Sequence, residues 1–279
     1  MPTDLPYTYP RVLSIAGSDS GGGAGIQADL KTFSALGCFG MTAITALTAQ
    51  NTLGVRAIHG VPAQMLTDQI DAVVEDIGVD AVKIGMLHSP EIVRTVAQAI
   101  DRHALQRVVF DPVMVATSGA VLIDNEAIDV LVRELFSRTS VITPNLDEAG
   151  LLVKRALRDE ADMEAAANAL LAMGANAVLV KGGHLQGEEV SDLLALANGE
   201  KVWMRDTRIH TPNTHGTGCT LSSAIAAHLA LGQPLAEAVQ SARSYIRGAL
   251  LHGAQVRTGQ GSGPLNHGYA PRVMVQKLR

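Results

Sequence analysis

The sequence predicts an α/β fold in which helices cover both faces of a mostly parallel central sheet that carries an antiparallel edge. Three observations support this prediction. Short apolar stretches typical of buried strands alternate with longer segments of helical periodicity, as in sheets whose parallel strands are joined by helices. Polar residues follow several strands, at the end where such sheets bind ligands. Asn198-Gly199 lies between two late strands and indicates a hairpin, hence the antiparallel edge.

Glycine and proline mark the elements of the first half. Gly37 is a C-cap signal for the first helix, and Pro62 suits the first turn of a helix whose apolar face includes Met65 and Ile70. Segment 39–50 is apolar and rich in threonine. The other elements predicted in this half are strands 11–16, 55–61, 81–87 and 107–110 and helices 26–36, 90–103 and 125–136.

The second half continues the alternation and closes with two helices. The predicted elements are strand 140–143, helical residues up to 173, strand 177–180, the hairpin of 193–197 with 201–204, and helices 219–231 and 235–251. Residues 255–264 are rich in glycine and are predicted to form a surface loop. No repeat or linker divides the chain, so we interpret residues 1–10 as an N-terminal extension and residues 11–279 as a single domain.

The composition excludes several classes of protein. Of 279 residues, 47% are hydrophobic and 18% charged, and the formal net charge of −5 with no basic cluster argues against nucleic-acid binding. Cys38 and Cys219 are too far apart in sequence to indicate a disulfide framework or a zinc site. Residues 1–10 lack the apolar run of a signal peptide, and no apolar segment reaches the about 20 residues that span a bilayer. We therefore expect a soluble cytoplasmic protein with no membrane partner.

A glycine-rich loop, residues 17–25, follows the first strand. Gly23, Gly25 and Ala28 match the G-x-G-x-x-A pattern of dinucleotide-binding proteins. That pattern also needs an acidic residue about 20 positions later, and no Asp or Glu occurs between Asp29 and Asp68. A Walker A loop is excluded as well, since Lys31-Thr32 follows leucine and not glycine. The loop therefore belongs to neither nucleotide motif.

A second glycine-containing turn, His215 to Thr220, leads directly into an apolar helical stretch. The first amides of a helix have no partner within it and carry partial positive charge, so this turn is suited to an anion. Cys219 lies at the helix entrance, where the same field is expected to lower the thiol pKa from about 8.5. The alternative is an ordinary helix start with a small buried cysteine.

Polar side chains mark the ends of several predicted strands, and each alone has a structural explanation as a strand end or helix cap. Their shared position favours a site. Glu148, with Asp147 as an alternative and Asp111 nearby, is suited to Mg²⁺, while Lys181 would offset phosphate charge. Together with the amides of residues 216 to 219, these carboxylates and Lys181 indicate a phosphotransferase without a P-loop. The residues placed at strand ends are Asp19, Met86, Asp111, Asn145 and Lys181, with Lys83 within its strand.

Taken together, these motifs resemble the hydroxymethylpyrimidine/phosphomethylpyrimidine kinases of thiamine biosynthesis, within the ribokinase-like superfamily. The resemblance runs in order from about Arg11 to His267. Each motif is moderately specific and the set is highly specific. The matching segments are residues 17–29, 48–51, 83–86, 111–114, 143–145 with Glu148, 180–184, 214–220 and 263–267.

The resemblance implies a three-layer ribokinase-like kinase domain that uses ATP and Mg²⁺. It would phosphorylate 4-amino-5-hydroxymethyl-2-methylpyrimidine and then the monophosphate, and it would form a homodimer. Cys219 occupies the place where ribokinase-like sugar kinases carry an aspartate base. The implied pyrimidine pocket is Gly17, Ala24, Asp29, Gln50, Met86 and Val113; the catalytic set is Cys219, Gly218, Gly216 and Lys181; the ATP contacts are Lys181, Asn145, Thr217 and Gly218; the metal ligands are Asp111 and Glu148.

Two alternatives stay open at this point. Pyridoxal kinases of the same superfamily phosphorylate a related hydroxymethyl heterocycle, so a vitamin B6 kinase is the nearest rival. A catalytically silent ligand sensor is a rival from another class. The presence of Asp111, Glu148, Lys181 and Cys219 argues against a sensor, because a protein that only binds has no need of a phosphoryl-transfer set.

Overall fold

The computed structural model describes residues 5–114, 125–183, 185 and 187–278. His184, which belongs to one of the matching motifs, lies outside the described residues. The strands are β1 Tyr7–Thr8, β2 Arg11–Ala16, β3 Phe39–Ile44, β4 Ala46–Asn51, β5 Gly54–Gly60, β6 Ala81–Ile84, β7 Val108–Phe110, β8 Val141–Ile142, β9 Ala177–Lys181, β10 Glu189–Leu196, β11 Lys201–Thr207 and β12 Lys277–Leu278. The helices are α1 Gly25–Ala35, α2 Ala63–Asp76, α3 Pro90–Arg102, α4 Asn125–Leu135, α5 Leu146–Val153, α6 Glu160–Ala172, α7 Thr217–Ala230 and α8 Leu235–Gly253, and a 3-10 turn covers Phe136–Arg138.

An eight-stranded sheet forms the centre of the molecule, in the order β11-β10-β9-β8-β7-β6-β2-β3. The six strands β3, β2, β6, β7, β8 and β9 lie side by side in this order, and each pairs in parallel with the next. Strand β10 is antiparallel to both β9 and β11. The predicted hairpin therefore supplies an antiparallel edge, as the Asn198-Gly199 turn indicated. The parallel strands are short and apolar because both of their faces are buried.

Helices cover the two faces of the sheet, and the sheet separates two hydrophobic cores. Leu13 and Ile15 of β2 point into the core formed with helices α2 to α6, and Val12 points into the core formed with α1, α7 and α8. This alternation follows from the two-residue period of a strand. The three-layer α/β arrangement predicted from the sequence is confirmed.

Two small antiparallel sheets lie outside the central sheet. Segment 39–50 divides between β3, which joins the central sheet, and β4, which pairs with β5 in a separate hairpin. Strand β1 pairs with β12, so part of the predicted N-terminal extension is hydrogen-bonded to the last described residues. Within the part of the chain that the structure describes, no helix combines the length and apolar character required to cross a membrane.

Candidate active site

A cavity of about 580 Å³ opens at the carboxyl ends of strands β2, β6, β7 and β9. This volume lies within the usual range of small-molecule sites. Its position is the one expected for a parallel sheet, because loops at that edge leave the strands in succession and can converge on one ligand. The cavity is lined by the glycine-rich loop, the glycine-containing turn before α7, the hairpin β4–β5 and polar residues at the strand ends.

Asp19 organises the glycine-rich loop. Its carboxylate accepts backbone N–H groups from Gly21, Gly23 and Ala24 at 2.8–3.0 Å, and Oδ2 lies 2.8 Å from His215 Nε2. Burial disfavours ionisation of Asp19, but the hydrogen bonds from His215 and from the loop amides outweigh it and lower the pKa. The charged carboxylate thereby fastens the loop to the turn before α7.

The turn before α7 brings backbone amides to the cavity. Gly216 is the N-cap, with φ of +87°, and a Cβ at this position would overlap the carbonyl oxygen of Gly23. Glycine is therefore required both for the left-handed conformation and for the close approach of the two loops. No described side chain caps this N terminus. The amides of Gly218 and Cys219 border the cavity and are suited to an anion, whereas the amide of Thr217 donates to the carbonyl oxygen of Thr214 at 3.2 Å.

Cys219 lies in the cavity wall at the first turn of α7 and is half-buried. The expectation of a lowered thiol pKa was wrong. Burial raises the pKa of Cys219 to about 11; the nearby ammonium of Lys83 acts in the opposite direction, and Asp29 and Asp111 act with the burial. The resting form of Cys219 at neutral pH is therefore the thiol, because desolvation outweighs the field of one helix terminus.

Lys181 and two carboxylates form a charged group beside this turn. Lys181 Nζ lies 2.8 Å from Asp111 Oδ1 and 4.0 Å from Glu148 Oε2. Burial opposes the charge of Asp111, but Lys181 and Lys83 outweigh it and lower its pKa. Burial raises the pKa of Glu148 to about 7, with Lys181 acting against this shift and Asp111 with it. A Cβ at Gly218 would lie 3.3 Å from Lys181 Nζ, so the turn passes directly over the ammonium group.

Asn145 and Glu148 form the capping box that starts α5. The Asn145 side chain accepts the backbone N–H of Glu148 at 2.9 Å, and Glu148 Oε2 accepts the backbone N–H of Asn145 at 2.8 Å. Both residues nevertheless line the cavity together with Asp147. The cap therefore fixes the Glu148 carboxylate at the strand ends.

Gln50, Met86 and Val113 line the other end of the cavity with Gly17 and Ala24. A Cβ at Gly17 would lie 2.8 Å from Met86 Cε, so glycine leaves room for the methionine. Gln50 Oε1 accepts the hydroxyl of Thr48 at 3.2 Å, and Gln50 Nε2 lies 3.5 Å from His215 Nε2. This end combines a flexible apolar wall with one amide that can bind a polar ring edge.

Sequence comparison connects this site to known enzymes. Residues 19–266 match the family described as phosphomethylpyrimidine kinase. The hydroxymethylpyrimidine/phosphomethylpyrimidine kinase of Rhizobium meliloti is 53% identical over 256 residues, which cover 91% of this chain and 96% of that protein. The chain belongs to this family.

Solved structures agree with this assignment. The phosphomethylpyrimidine kinase of Clostridium difficile superposes with a TM-score of 0.76 at 43% identity, covering 86% of this chain and 99% of that one. Bacillus subtilis pyridoxal kinase in complex with ADP superposes with a TM-score of 0.85 at 36% identity, covering 93% and 98% of the two chains. The predicted ribokinase-like fold is confirmed, and this member of the phosphomethylpyrimidine kinase family is a phosphotransferase.

The predicted site residues of this family member converge on the cavity with one exception. Asp29 is fully buried and is absent from the cavity wall; its carboxylate is bound by Lys83, Ser14 and Ser223. The structure therefore places Asp29 behind the wall with its oxygens bound by protein groups, and its contact with the pyrimidine stays a prediction. Those that line the cavity are Gly17, Ala24, Gln50, Met86, Asp111, Val113, Asn145, Glu148, Lys181, Gly216, Thr217, Gly218 and Cys219.

Three charged or polar residues of the wall, Asp19, Lys83 and His215, make contacts that the sequence of this kinase did not predict. Asp19 and His215 join two loops that are 196 positions apart, and no local pattern indicates such a contact. Lys83 belongs to the residues whose shared position favours a site, but its complete burial was not predicted. A lysine inside the apolar strand β6 is itself a signal, because lysine is rarely buried unless it is paired.

Proposed function

We propose that this chain transfers the γ-phosphoryl group of ATP to the hydroxymethyl oxygen of 4-amino-5-hydroxymethyl-2-methylpyrimidine, and then phosphorylates the monophosphate to the diphosphate. The observation that carries the proposal is the placing of Cys219 and the helix-start amides in the same cavity as Gln50, Met86 and Val113. Within one site, Cys219 would contact the acceptor hydroxyl, Gln50, Met86 and Val113 would contact the pyrimidine ring, and the helix-start amides would bind the transferred anion. The family membership supports the same reaction.

In the first phosphorylation, the hydroxymethyl oxygen bonds to the γ-phosphorus while the bond to the β,γ-bridging oxygen breaks and ADP leaves. The hydroxyl proton passes to the sulfur of Cys219 when it is a thiolate. A thiolate whose pKa is about 11 is scarce at neutral pH but strongly basic. The amides of Gly216, Gly218 and Cys219 would stabilise negative charge on the transferred group, and Lys181 would offset charge on ATP, with Asn145 and Thr217 as further contacts.

The residues at the strand ends fit a magnesium ion. Asp111 and Glu148 both line the cavity and face the ammonium group of Lys181. Among the described residues no group of three or more His, Cys, Asp or Glu side chains is placed to hold a metal. Mg²⁺ usually takes only one or two protein carboxylates and completes its shell with phosphate oxygens and water, so this pair suffices. When bound with ATP, Mg²⁺ would neutralise charge on the phosphates.

The test is ATP consumption with the hydroxymethylpyrimidine, its monophosphate and pyridoxal side by side, with the products resolved by mass. We expect turnover of the first two substrates to the monophosphate and the diphosphate. Failure to phosphorylate the pyrimidine in the presence of ATP and Mg²⁺ would contradict the proposal. Binding of the pyrimidine without ATP turnover would identify a ligand sensor instead.

Pyridoxal phosphorylation is the second candidate function, because the fold is closely similar to that of the pyridoxal kinase of Bacillus subtilis. The ratio of kcat/KM for pyridoxal and the pyrimidine decides between them. If only pyridoxal is phosphorylated, the proposed phosphoryl transfer and its residues stay the same, and the substrate becomes pyridoxal instead of the pyrimidine. A homodimer and a cytoplasmic location stay part of the proposal, and light scattering of the purified protein tests the first.

A further inference from the structure

Lys83 is a buried cation in the wall of the active-site cavity. It lies on β6, between β2 and β7 in the central sheet, and its side chain has no solvent-accessible surface. It nevertheless forms part of the wall of the cavity that contains Cys219. A buried ammonium at this position acts on the cavity mainly through its charge, which is weakly screened in a dry environment.

Asp29 holds this ammonium group from the side away from the cavity. Both carboxylate oxygens lie 2.9 Å from Lys83 Nζ. The same oxygens accept the hydroxyls of Ser14 at 2.5 Å and Ser223 at 2.6 Å. Asp29 is absent from the cavity wall whereas Lys83 belongs to it, so the positive end of the pair faces the cavity.

Helix α7 places Cys219 next to this pair. Ser223, which touches Asp29, lies four residues after Cys219 on the same helix, and residues spaced by four share one face. Cys219 is one turn closer to the cavity, on the side where Lys83 forms the wall. The chain at Gly85 leaves room for the ammonium group, since a Cβ there would lie 2.9 Å from Lys83 Nζ.

Stability alone does not account for a buried ion pair. Removing two charges from water costs several kcal/mol per ion, and well-packed apolar residues of similar volume often serve the fold equally well. Here groups from one strand and two helices hold the ammonium of Lys83 in one direction. Asp29 of α1 binds the ammonium, and the hydroxyls of Ser14 on β2 and Ser223 on α7 bind Asp29. That direction is toward the residue that receives a proton in the proposed reaction.

We propose that the Lys83–Asp29 pair is a positioning device for Cys219, in which the ammonium group stabilises negative charge on the sulfur and Asp29 fixes the ammonium. The charged and titratable groups around Cys219 are Lys83 from β6, Asp29 from α1, Asp111 after β7 and Lys181 from β9. Lys83 is the largest charge contribution that favours the thiolate. The claim that the pair assists phosphorylation rests on the proposed function, whereas the claim that Lys83 stabilises the Cys219 thiolate does not.

Alkylation of Cys219 by iodoacetamide tests the inference without ATP or pyrimidine. The parent is Cys38→Ala, so that Cys219 is the only thiol, and modification is followed by mass spectrometry between pH 7 and 10. The test variant adds Lys83→Met and Asp29→Asn, which remove both charges together. Because the thiolate is the reacting species, and Lys83 affects the pKa of Cys219 more than the opposing Asp29 does, we expect the rate constant at pH 8.5 to fall by about 3-fold or more.

A matched control removes a different lysine–carboxylate pair. Lys201 Nζ lies 2.7 Å from Glu164 Oε1 on the surface, so Lys201→Met with Glu164→Gln is the equivalent change away from the cavity. This control is expected to alkylate at the parental rate. Equal rates in the parent and in a folded Lys83→Met/Asp29→Asn variant would overturn the inference.

A second variant keeps the test decisive if the first does not fold. Lys83→Gln retains an N–H donor toward Asp29 but no charge, and it should lower the alkylation rate in the same direction. In assays of both phosphorylations, either variant should lower kcat for the hydroxymethylpyrimidine much more than for the monophosphate. A purely structural role would lower both equally. If the parent itself fails to phosphorylate the pyrimidine, the proposed function fails while the alkylation result still decides the role of Lys83.

Discussion

Cys219 shows at the scale of a single residue what the sequence could and could not predict. The glycine-containing turn and the helix that follows it are contiguous, so the position of the thiol at a helix start was predictable. Its protonation state was not, because the burial and the neighbouring charges come from β6, α1 and the end of β7. For the same reason the burial of Asp29 behind the cavity wall was not predictable, since its partners Lys83 and Ser223 are 54 and 194 positions away.

The two phosphorylations should depend differently on Cys219. The pyrimidine hydroxyl must lose a proton, whereas a phosphate monoester with a second pKa of about 6 is already ionised at pH 7.5. We expect Cys219→Ala to lower kcat for the hydroxymethylpyrimidine by about 10²-fold or more, and kcat for its monophosphate by less than about 10-fold. Separate assays of each step with product detection by mass measure this difference.

The same residue sets a pH dependence for the first step. Because the pKa of Cys219 is about 11, the thiolate fraction and the first-step rate should rise as pH increases from 7 toward 10. The second step should lack this rise. Equal losses of both steps in Cys219→Ala, with no pH difference between them, would reassign Cys219 to packing.

At the scale of elements, the alternation of strands and helices was predictable because both periods are local properties of the sequence. The boundaries of the strands and helices were less predictable. Strand 81–87 was predicted, but β6 ends at Ile84 and the chain then enters the cavity wall at Met86. Segment 39–50 reads as one apolar stretch and divides between two sheets. Such divisions depend on which neighbours cover a strand, and those neighbours are distant in sequence.

Helix α7 carries a buried neutral histidine that should limit stability in acid. Burial lowers the pKa of His228 to about 4, and its Nδ1 has no hydrogen-bond partner among the described residues. In the unfolded chain His228 is protonated below about pH 6.5, whereas in the folded helix it stays neutral down to about pH 4. Between these two pH values the unfolded state binds more protons, so the free energy of unfolding falls as the pH falls.

We expect His228→Leu to flatten this decline, because leucine has a similar volume and cannot bind a proton. The gain relative to the wild type between pH 7 and pH 5 should be at most about 2 kcal/mol. Urea unfolding at both pH values measures it. Lys31→Met, an exposed residue, is the control for general surface-charge effects. Parallel pH profiles for wild type and His228→Leu would contradict the assignment.

At the scale of the whole molecule, both ends of the described chain are fastened to the same region. Strand β12 pairs with β1, and Lys277 Nζ lies 2.7 Å from Asp80 Oδ1, which also faces Arg11. The backbone N–H of Val275 donates to the carbonyl oxygen of Gly37 at 2.8 Å. None of these residues lines the cavity, so we expect the contacts to contribute to stability and not to chemistry.

Ending the chain after Pro271 should therefore lower stability without changing turnover. Loss of the backbone hydrogen bonds of Arg272 and Val275, the β1–β12 pairing and one partly exposed ion pair is expected to cost about 2 kcal/mol or more, or roughly 4–8 °C or more in Tm for a chain of this size. Calorimetry and steady-state kinetics on the truncated protein measure both quantities. A change in kcat of more than about 10-fold below the Tm would show that the tail supports the active site.

The hydrogen bond between Asp19 and His215 has a consequence for biosynthesis. Its partners are separated by 196 positions, so a ribosome that adds about 5–20 residues per second makes them roughly 10–40 s apart. During that interval the glycine-rich loop has no opposite wall, and the nascent chain has no competent site. We expect catalysis to begin only after nearly the whole polypeptide has left the exit tunnel, so that premature termination products bind neither substrate.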